Sequence, residues 1–241
     1  MDKKNLPQIF KESLSDFIRH PSLLFPPILL FIIISLLSIL SVSINHKLSS
    51  SLSITLWFII FTILYLIIIS YISATMIGMS RDAASRSISI KKVFPYGNKF
   101  WLKNLVIILI FILIYFLILG SLYVFTFLMS SLRNYIQITE NVFKLLSFLI
   151  YFIWLVAVLI FFTFSNFFLV IYNLKIKESI LKSISFVKKE YLSILSINVI
   201  FFAIFYLLSF WESTISIILT YLLTAFFILL LTRFLLSKNQ K

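Results

Sequence analysis

The sequence predicts an all-α membrane protein with six transmembrane helices, and three observations support that prediction. Hydrophobic residues make up 61% of the 241 positions and charged residues 12%, about half the charged fraction of an ordinary soluble domain. Six long intervals contain no Asp, Glu, Lys or Arg, and each reaches the roughly 20 residues that a helix needs to cross a bilayer. These intervals lack the two-residue alternation of a membrane β-strand, so helices are expected. They cover residues 20–46, 48–80, 104–132, 145–174, 191–211 and 213–232.

Three of the five prolines lie at the start of the first interval, in "RHPSLLFPPILLFIII" (19–34). Pro21 is expected to end a preceding helix, while Pro26 and Pro27 suit the first turn of a new helix, where no helical partner for an N–H exists. The prolines therefore predict an elbow that turns the chain from the membrane surface into the bilayer. The alternative is a proline-broken helix that lines a substrate site.

Amphipathic helices lying in the membrane interface are expected before the first and fifth spans. In the N-terminal segment, apolar residues recur at helical spacing from Leu6 to Ile18, and polar residues, among them Glu12 and Asp16, fill the other face. A similar apolar stripe before the fifth span consists of Ile176, Ile180, Ile184 and Val187. Both patterns are typical of helices that lie flat on a membrane.

A third interfacial helix is expected near Ile90, Val93 and Phe94, and it should be short because Pro95 and Gly97 interrupt it. The three helices together predict a threefold internal repeat within one membrane domain, residues 1–241. Each repeat joins an interfacial helix to a transmembrane hairpin. The repeats cover about 4–79, 80–173 and 174–236, and Phe17, Phe100 and Phe186 occupy matching positions in them.

Basic residues are concentrated on one set of connections. Eighteen of the 21 Lys and Arg residues belong to the N-terminal segment, the connections near 81–103 and 175–190, and the C-terminal tail, whereas three lie on the opposite side. The positive-inside rule then places both termini in the cytoplasm of a multi-pass plasma-membrane protein. The abundance of Ile, Ser, Lys and Asn is typical of an AT-rich prokaryotic genome.

The chemistry-bearing residues indicate a protein that is not an enzyme and uses no cofactor. Cysteine is absent, and the two histidines, His20 and His46, fall at opposite membrane edges. No acidic residue lies within an uncharged interval, so neither a His-Glu-x-x-His metal site nor a pair of intramembrane carboxylates is available. Serine is abundant, but no G-x-S-x-G turn accompanies it.

Polar residues within the spans form a candidate intramembrane site, Ser165 and Asn166 in the fourth span and Asn198 in the fifth. Their functional interpretation is a small polar binding site. The favoured alternative is hydrogen bonding between helices, a usual role of such residues in membrane bundles. Trp154 is expected inside the bundle.

Two segments resemble a known family: "GMSRDAASRSISIKKVFPYGNKFWLKNLVI" (78–107) and "FSNFFLVIYNLKIKESILKSISFVKKEYLSIL" (164–195). They are similar to the six-helix membrane domains attached to some glycerophosphodiester phosphodiesterases and to related stand-alone bacterial and archaeal membrane proteins, often of unknown function. The resemblance implies a short polar turn after the fourth span and an amphipathic helix leading into the fifth. The matching positions in that helix are Glu178, Ser179, Lys182, Ser183, Val187 and Lys188. The phosphodiesterase catalytic domain is missing, so its activity is not implied.

These observations predict a membrane scaffold or accessory protein that binds lipid, or another membrane protein, through a basic cytoplasmic face. Nucleic acid is not expected as a partner, because the sequence lacks a basic recognition element interleaved with aromatic residues. The alternative is a permease for a lipid-like or other apolar small molecule, with Asn166 and Asn198 facing a cavity. The candidate contacts of the basic face are Lys91, Lys92, Lys99, Lys103, Lys182, Lys188 and Lys189.

Overall fold

The computed structural model describes residues 5–46, 50–85, 88, 93–132, 140–210 and 214–239, and these contain helices and no strand. A short 3₁₀ turn, Pro21–Leu24, follows the first helix. The α-helices are α1 (Leu6–Arg19), α2 (Phe25–Asn45), α3 (Ser51–Ala84), α4 (Val93–Leu132), α5 (Glu140–Thr163), α6 (Ser165–Tyr172), α7 (Ile176–Ser209) and α8 (Thr214–Asn239). The all-α fold class is confirmed.

Six segments of the described chain are helical, apolar and long enough to cross a membrane, as the sequence predicts. Their outer surfaces are apolar too: Ile39 in α2, Leu117 in α4 and Leu192 in α7 are each more than 60% exposed. Such a surface is stable against lipid tails and unstable against water. The six segments are Pro21–Ile44, Ser51–Ala84, Phe94–Val124, Phe148–Tyr172, Ile176–Ser209 and Ile215–Asn239.

The three clustered prolines lie at the junction between α1 and the first span, where the sequence places them. Helix α1 ends at Arg19, Pro21 begins the 3₁₀ turn, and α2 starts at Phe25 with prolines in its first turn. Both Pro26 and Pro27 are buried. The prolines cost no helical hydrogen bond here, because the first N–H groups of a helix have no partner within it.

The predicted break at Pro95 and Gly97 is wrong. Helix α4 runs without interruption from Val93 to Leu132, so no separate short helix precedes the third span in the described residues. Pro95 falls in the first turn of α4, where its missing N–H and fixed φ are compatible with the helix. Ile90, which the prediction placed in the short helix, lies outside the described residues.

Helix α7 contains both an amphipathic part and a membrane-spanning part. A kink at Glu190 (φ −116°, ψ 24°) separates residues 176–189 from residues 191–209. The first part buries Ser179, Ser183 and Val187 against the bundle and leaves its lysines exposed. This arrangement resembles α1 followed by α2, although the threefold repeat itself stays a prediction.

Aromatic rings fill the interior where α6, α7 and α8 meet. The Phe164 side chain is fully buried at the turn between α5 and α6. Its ring centroid lies 5.0 Å from that of Phe186, 5.6 Å from that of Phe167 and 6.3 Å from that of Phe234. Ring pairs at such distances contribute beyond the area they bury. The cluster therefore joins the break in the fourth span to α6, α7 and α8.

Two glycines allow α3 and α4 to pack closely against each other. The ring of Tyr96 in α4 lies on Gly78 of α3, and the ring of Tyr71 in α3 lies on Gly97 of α4. A Cβ atom added at either glycine would overlap the opposing ring. The Tyr96 hydroxyl also donates a hydrogen bond to Asp82, at 2.9 Å. Small residues at helix contacts are the usual means of close approach in membrane bundles.

Gly78→Ala is expected to lower the free energy of unfolding by about 1–3 kcal/mol, since the Tyr96 ring must move and lose its contacts. Thermal unfolding of the purified protein in detergent measures the change. Gly120→Ala is the matched control, because no atom lies within 4 Å of its added Cβ and alanine favours the helix. Equal stability of the two variants would contradict the close packing of α3 on α4.

Candidate functional site

One end of the bundle brings together segments that are far apart in sequence. Arg233, near the end of α8, forms ion pairs with Glu12 (2.7 Å) and Asp16 of α1. Lys238 of α8 pairs with Glu190 of α7 at 3.4 Å. We call this end, which holds α1, the start of α7 and the C-terminal turns of α8, the basic end.

The first connection rich in basic residues reaches the basic end as well. Met79 and Ala83, near the end of α3, are buried in one cluster with Leu229 of α8, and Phe17 of α1 packs against that cluster. The connections near 81–103 and 175–190 therefore lie on the same side of the bundle, as the distribution of charge in the sequence predicts.

Asp16 corrects one expectation about α1. The amphipathic pattern places this residue on the face turned to water, but its side chain is buried against Arg233. Ser13, one turn earlier, is also fully buried, and its hydroxyl donates to the Ile9 carbonyl. In contrast, the apolar side chains of Phe10, Leu14 and Ile18 stay 42–71% exposed. A polar edge of α1 therefore faces the bundle, and an apolar stripe remains for the membrane interface.

The candidate lysines separate into three groups. Lys91 and Lys92 lie outside the described residues. Lys99 and Lys103 are exposed on the first turns of α4, with the Lys99 ammonium 5.0 Å from the centre of the Phe100 ring. Lys182, Lys188 and Lys189 are exposed on the amphipathic part of α7. None of these five described lysines forms an ion pair within the part of the chain that the structure describes.

An open cleft of about 320 Å³ lies at the basic end, where α6, α7 and α8 meet. Lys182 and Lys189 are seven residues apart, so two helical turns place them on one face of α7. These two lysines and three neutral polar side chains line the opening, and no carboxylate of the described residues is part of the lining. The lining residues are Phe168, Tyr172, Lys182, Ser185, Phe186, Lys189 and Asn239. A cleft with these donors is suited to an anion.

A second cleft, of about 430 Å³, lies between α4 and α5 and is almost entirely apolar. Its lining consists of Ile114, Leu117, Ile118, Ser121, Leu122, Ile150 and Trp154. The Trp154 side chain is 58% exposed, so its expected place inside the bundle is wrong. Neither cleft is lined by Asn166 or Asn198.

The fourth span is discontinuous at the predicted intramembrane polar site. Phe164 separates α5 from α6, and Ser165 and Asn166 begin α6. The Ser183 hydroxyl of α7 donates to the Phe161 carbonyl near the break, at 2.6 Å. The Ser165 Oγ and Asn166 Oδ1 atoms are buried without a hydrogen-bond partner among the described residues. The Asn198 amide instead donates to the Ile194 carbonyl of its own helix, at 2.8 Å.

The sequence analysis missed Asn104, which is fully buried between α3 and α4. Its amide donates to the Ser70 carbonyl at 2.8 Å and to the Ser73 hydroxyl at 2.5 Å. Its position in the sequence indicates this burial. Asn104 lies four residues after Phe100 and three before Ile107, so the three side chains share one helical face, and both apolar residues are buried. A polar residue within such a stripe indicates a hydrogen bond to a neighbouring helix.

Comparison with known proteins matches no family model, no curated protein and no solved structure. The similarity to the membrane domains of glycerophosphodiester phosphodiesterases therefore stays a prediction from the two quoted segments.

Proposed function

We propose that this protein is a non-enzymatic membrane scaffold or accessory protein that binds anionic lipid headgroups, or an acidic partner protein, through its basic end. One observation carries the proposal: five described lysines of the basic end are exposed and lack ion pairs. They are Lys99, Lys103, Lys182, Lys188 and Lys189. An ammonium near an anionic membrane surface contributes about 1 kcal/mol to attraction.

The same charges support a cytoplasmic location for the basic end and for both termini. The positive-inside rule counts Lys and Arg within short connections, which is where these residues lie. A plasma membrane with anionic lipids in its inner leaflet would then face the lysines directly. The proposed location is therefore the plasma membrane, with six crossings.

Catalysis is not part of the proposed function, since four acidic side chains of the basic end serve structural contacts. Asp16 and Glu12 bind Arg233, Glu190 binds Lys238, and Asp82 accepts from Tyr96. No three His, Asp or Glu side chains of the described residues are placed to hold a metal ion. Carboxylates that are held by a cation or a hydroxyl are poorly placed for proton transfer.

The second candidate function is a permease for a lipid-like or apolar small molecule. It is supported by the break in the fourth span, since transporters commonly place substrate sites at discontinuous helices. The unpartnered atoms of Ser165 and Asn166 lie at that break. Binding at the basic end is favoured, because Asn198 is engaged within its own helix and neither described cleft includes an asparagine from the predicted site.

Neutralising Lys182, Lys188 and Lys189 to Gln is expected to weaken binding of phosphatidylglycerol about a hundredfold, given roughly 1 kcal/mol for each lost charge. Native mass spectrometry of the purified protein, titrated with phosphatidylglycerol or phosphatidylcholine, measures the dissociation constants. The triple Lys→Arg variant keeps the charge and should retain binding. If the triple Gln variant binds phosphatidylglycerol as well as the unmodified protein and still copurifies with the same proteins, the scaffold proposal is wrong.

A further inference from the structure

We propose that the cleft lined by Lys182 and Lys189 is a specific site for the phosphate group of an anionic membrane lipid. The inference rests on the proposed function and goes further, because it assigns binding to one cleft rather than to the basic end as a whole. It follows from the placement of charge, from the neutral donors beside that charge, and from an apolar surface that leads away from the cleft.

The positive charge of the cleft is not neutralised by any acidic side chain that the structure describes. Glu190, which follows Lys189 in the chain, is held by Lys238 at 3.4 Å. Glu178, one turn before Lys182, is exposed and forms no ion pair with it. Two ammonium groups on one helical face, with no carboxylate in the lining, would hold a phosphate by charge-assisted hydrogen bonds.

Neutral hydrogen-bond donors line the cleft beside Lys182 and Lys189. The other exposed candidate lysines are not part of this lining. The Ser185 hydroxyl lies between the two lysines on the same face of α7, and the Tyr172 hydroxyl and Asn239 amide come from α6 and α8. A phosphate group has several acceptor oxygens and is bound well by donors that converge from different directions.

A lipid fits the cleft better than a free phosphate because of its apolar surroundings. Phe168 and Phe186 form part of the lining. Leu192, three residues after Lys189 and just beyond the kink of α7, is 77% exposed at the start of the lipid-facing surface of the fifth span. A headgroup in the cleft would therefore direct its acyl chains along the lipid-facing surface of the fifth span. Free phosphate would gain nothing from that surface.

Two double variants test the cleft against the overall charge of the basic end. Lys182→Gln with Lys189→Gln removes two charges from the lining, while Lys175→Gln with Lys177→Gln removes two exposed charges at the start of the same amphipathic segment, outside the lining. We expect the first variant to bind phosphatidylglycerol at least about tenfold more weakly, and the second to stay within about threefold of the unmodified protein. Native mass spectrometry gives both dissociation constants, and thermal unfolding shows whether each variant is folded. The Lys182→Arg, Lys189→Arg variant should retain binding.

Each other outcome has a distinct meaning. Equal weakening in the two double variants would overturn the cleft site and leave the proposed function standing, since total charge would then decide binding. Undiminished binding in both variants would overturn both proposals. Equal affinity for phosphatidylcholine would show that the cleft does not distinguish an anionic headgroup, which overturns the site. Displacement of the lipid by inorganic phosphate at equal concentration would assign the cleft to a free anion and overturn the lipid assignment.

Discussion

Arg233→Ala is expected to lower the free energy of unfolding by about 3 kcal/mol or more and to release α1 from the bundle. The Arg233 guanidinium contacts two carboxylates of α1, and the Asp16 side chain is only 8% exposed. Removing the cation leaves the buried Asp16 carboxylate without the guanidinium that it contacts. Thermal unfolding in detergent measures stability, and limited proteolysis within α1 measures its release.

A second variant separates the ion pair from the packing around it. Asp16→Asn combined with Arg233→Met removes both partners of the buried pair, so it should recover much of the stability that Arg233→Ala loses. Arg233→Lys keeps the charge and should fall between the two, because an ammonium cannot reproduce the guanidinium contacts with two carboxylates. An Arg233→Ala protein as stable and as protease-resistant as the unmodified chain would show that α1 is held by other contacts.

Phe164→Ala is expected to lower the free energy of unfolding by about 3–5 kcal/mol, the largest loss that we expect from removing one buried side chain of this bundle. The ring is fully buried among Phe167, Phe186 and Phe234, so its removal leaves a cavity at the break in the fourth span. Because Phe186 also lines the cleft, we expect phosphatidylglycerol affinity to fall together with stability.

Phe58→Ala is the matched control for that substitution. The Phe58 side chain of α3 is 69% exposed on the apolar surface, so its loss removes contact with lipid and opens no internal cavity. We expect a change below about 1 kcal/mol in the same thermal unfolding measurement. Similar losses from the two variants would contradict the aromatic cluster as the centre of packing.

The sequence predicts the spans of this fold correctly because the bilayer imposes a simple requirement on any crossing segment. An apolar run of about 20 residues must satisfy its backbone hydrogen bonds internally, and the helix does so whatever its neighbours are. The position of the proline elbow is equally local. Pro21, Pro26 and Pro27 act through their own φ angles and missing N–H groups, so no distant contact is needed to place them.

Contacts between distant segments could not be predicted in the same way. Asp16 and Arg233 are 217 residues apart, and an amphipathic pattern shows only that Asp16 lies on a polar face. Whether that face meets water or another helix depends on the docking of α1 against α8. The predicted break at Gly97 is wrong for a related reason. The small size of Gly97 makes room for the Tyr71 ring of α3, and it does not interrupt α4.

The candidate site was predicted in part. Lys182 and Lys189 were expected to contact lipid because they lie in a basic amphipathic segment. Lys182 and Lys189 differ from Lys188 because they line the cleft, and only the folded structure shows this. The other walls of the cleft include Tyr172 and Asn239, which lies at the end of the last helix. That grouping depends on how α6 and α8 meet α7, which the local pattern of charges does not encode.

The exchange of tyrosine rings between α3 and α4 has a mechanical consequence. Each ring rests against the glycine of the opposite helix, so sliding α4 along α3 by a single residue, about 1.5 Å, would drive a ring into a neighbouring side chain in one direction or the other. The two ring contacts therefore resist sliding in both directions, and we expect α3 and α4 to move together as one unit. The break at Phe164 and the kink at Glu190 lie outside this hairpin, so bending at either of them would leave the packing of α3 on α4 unchanged.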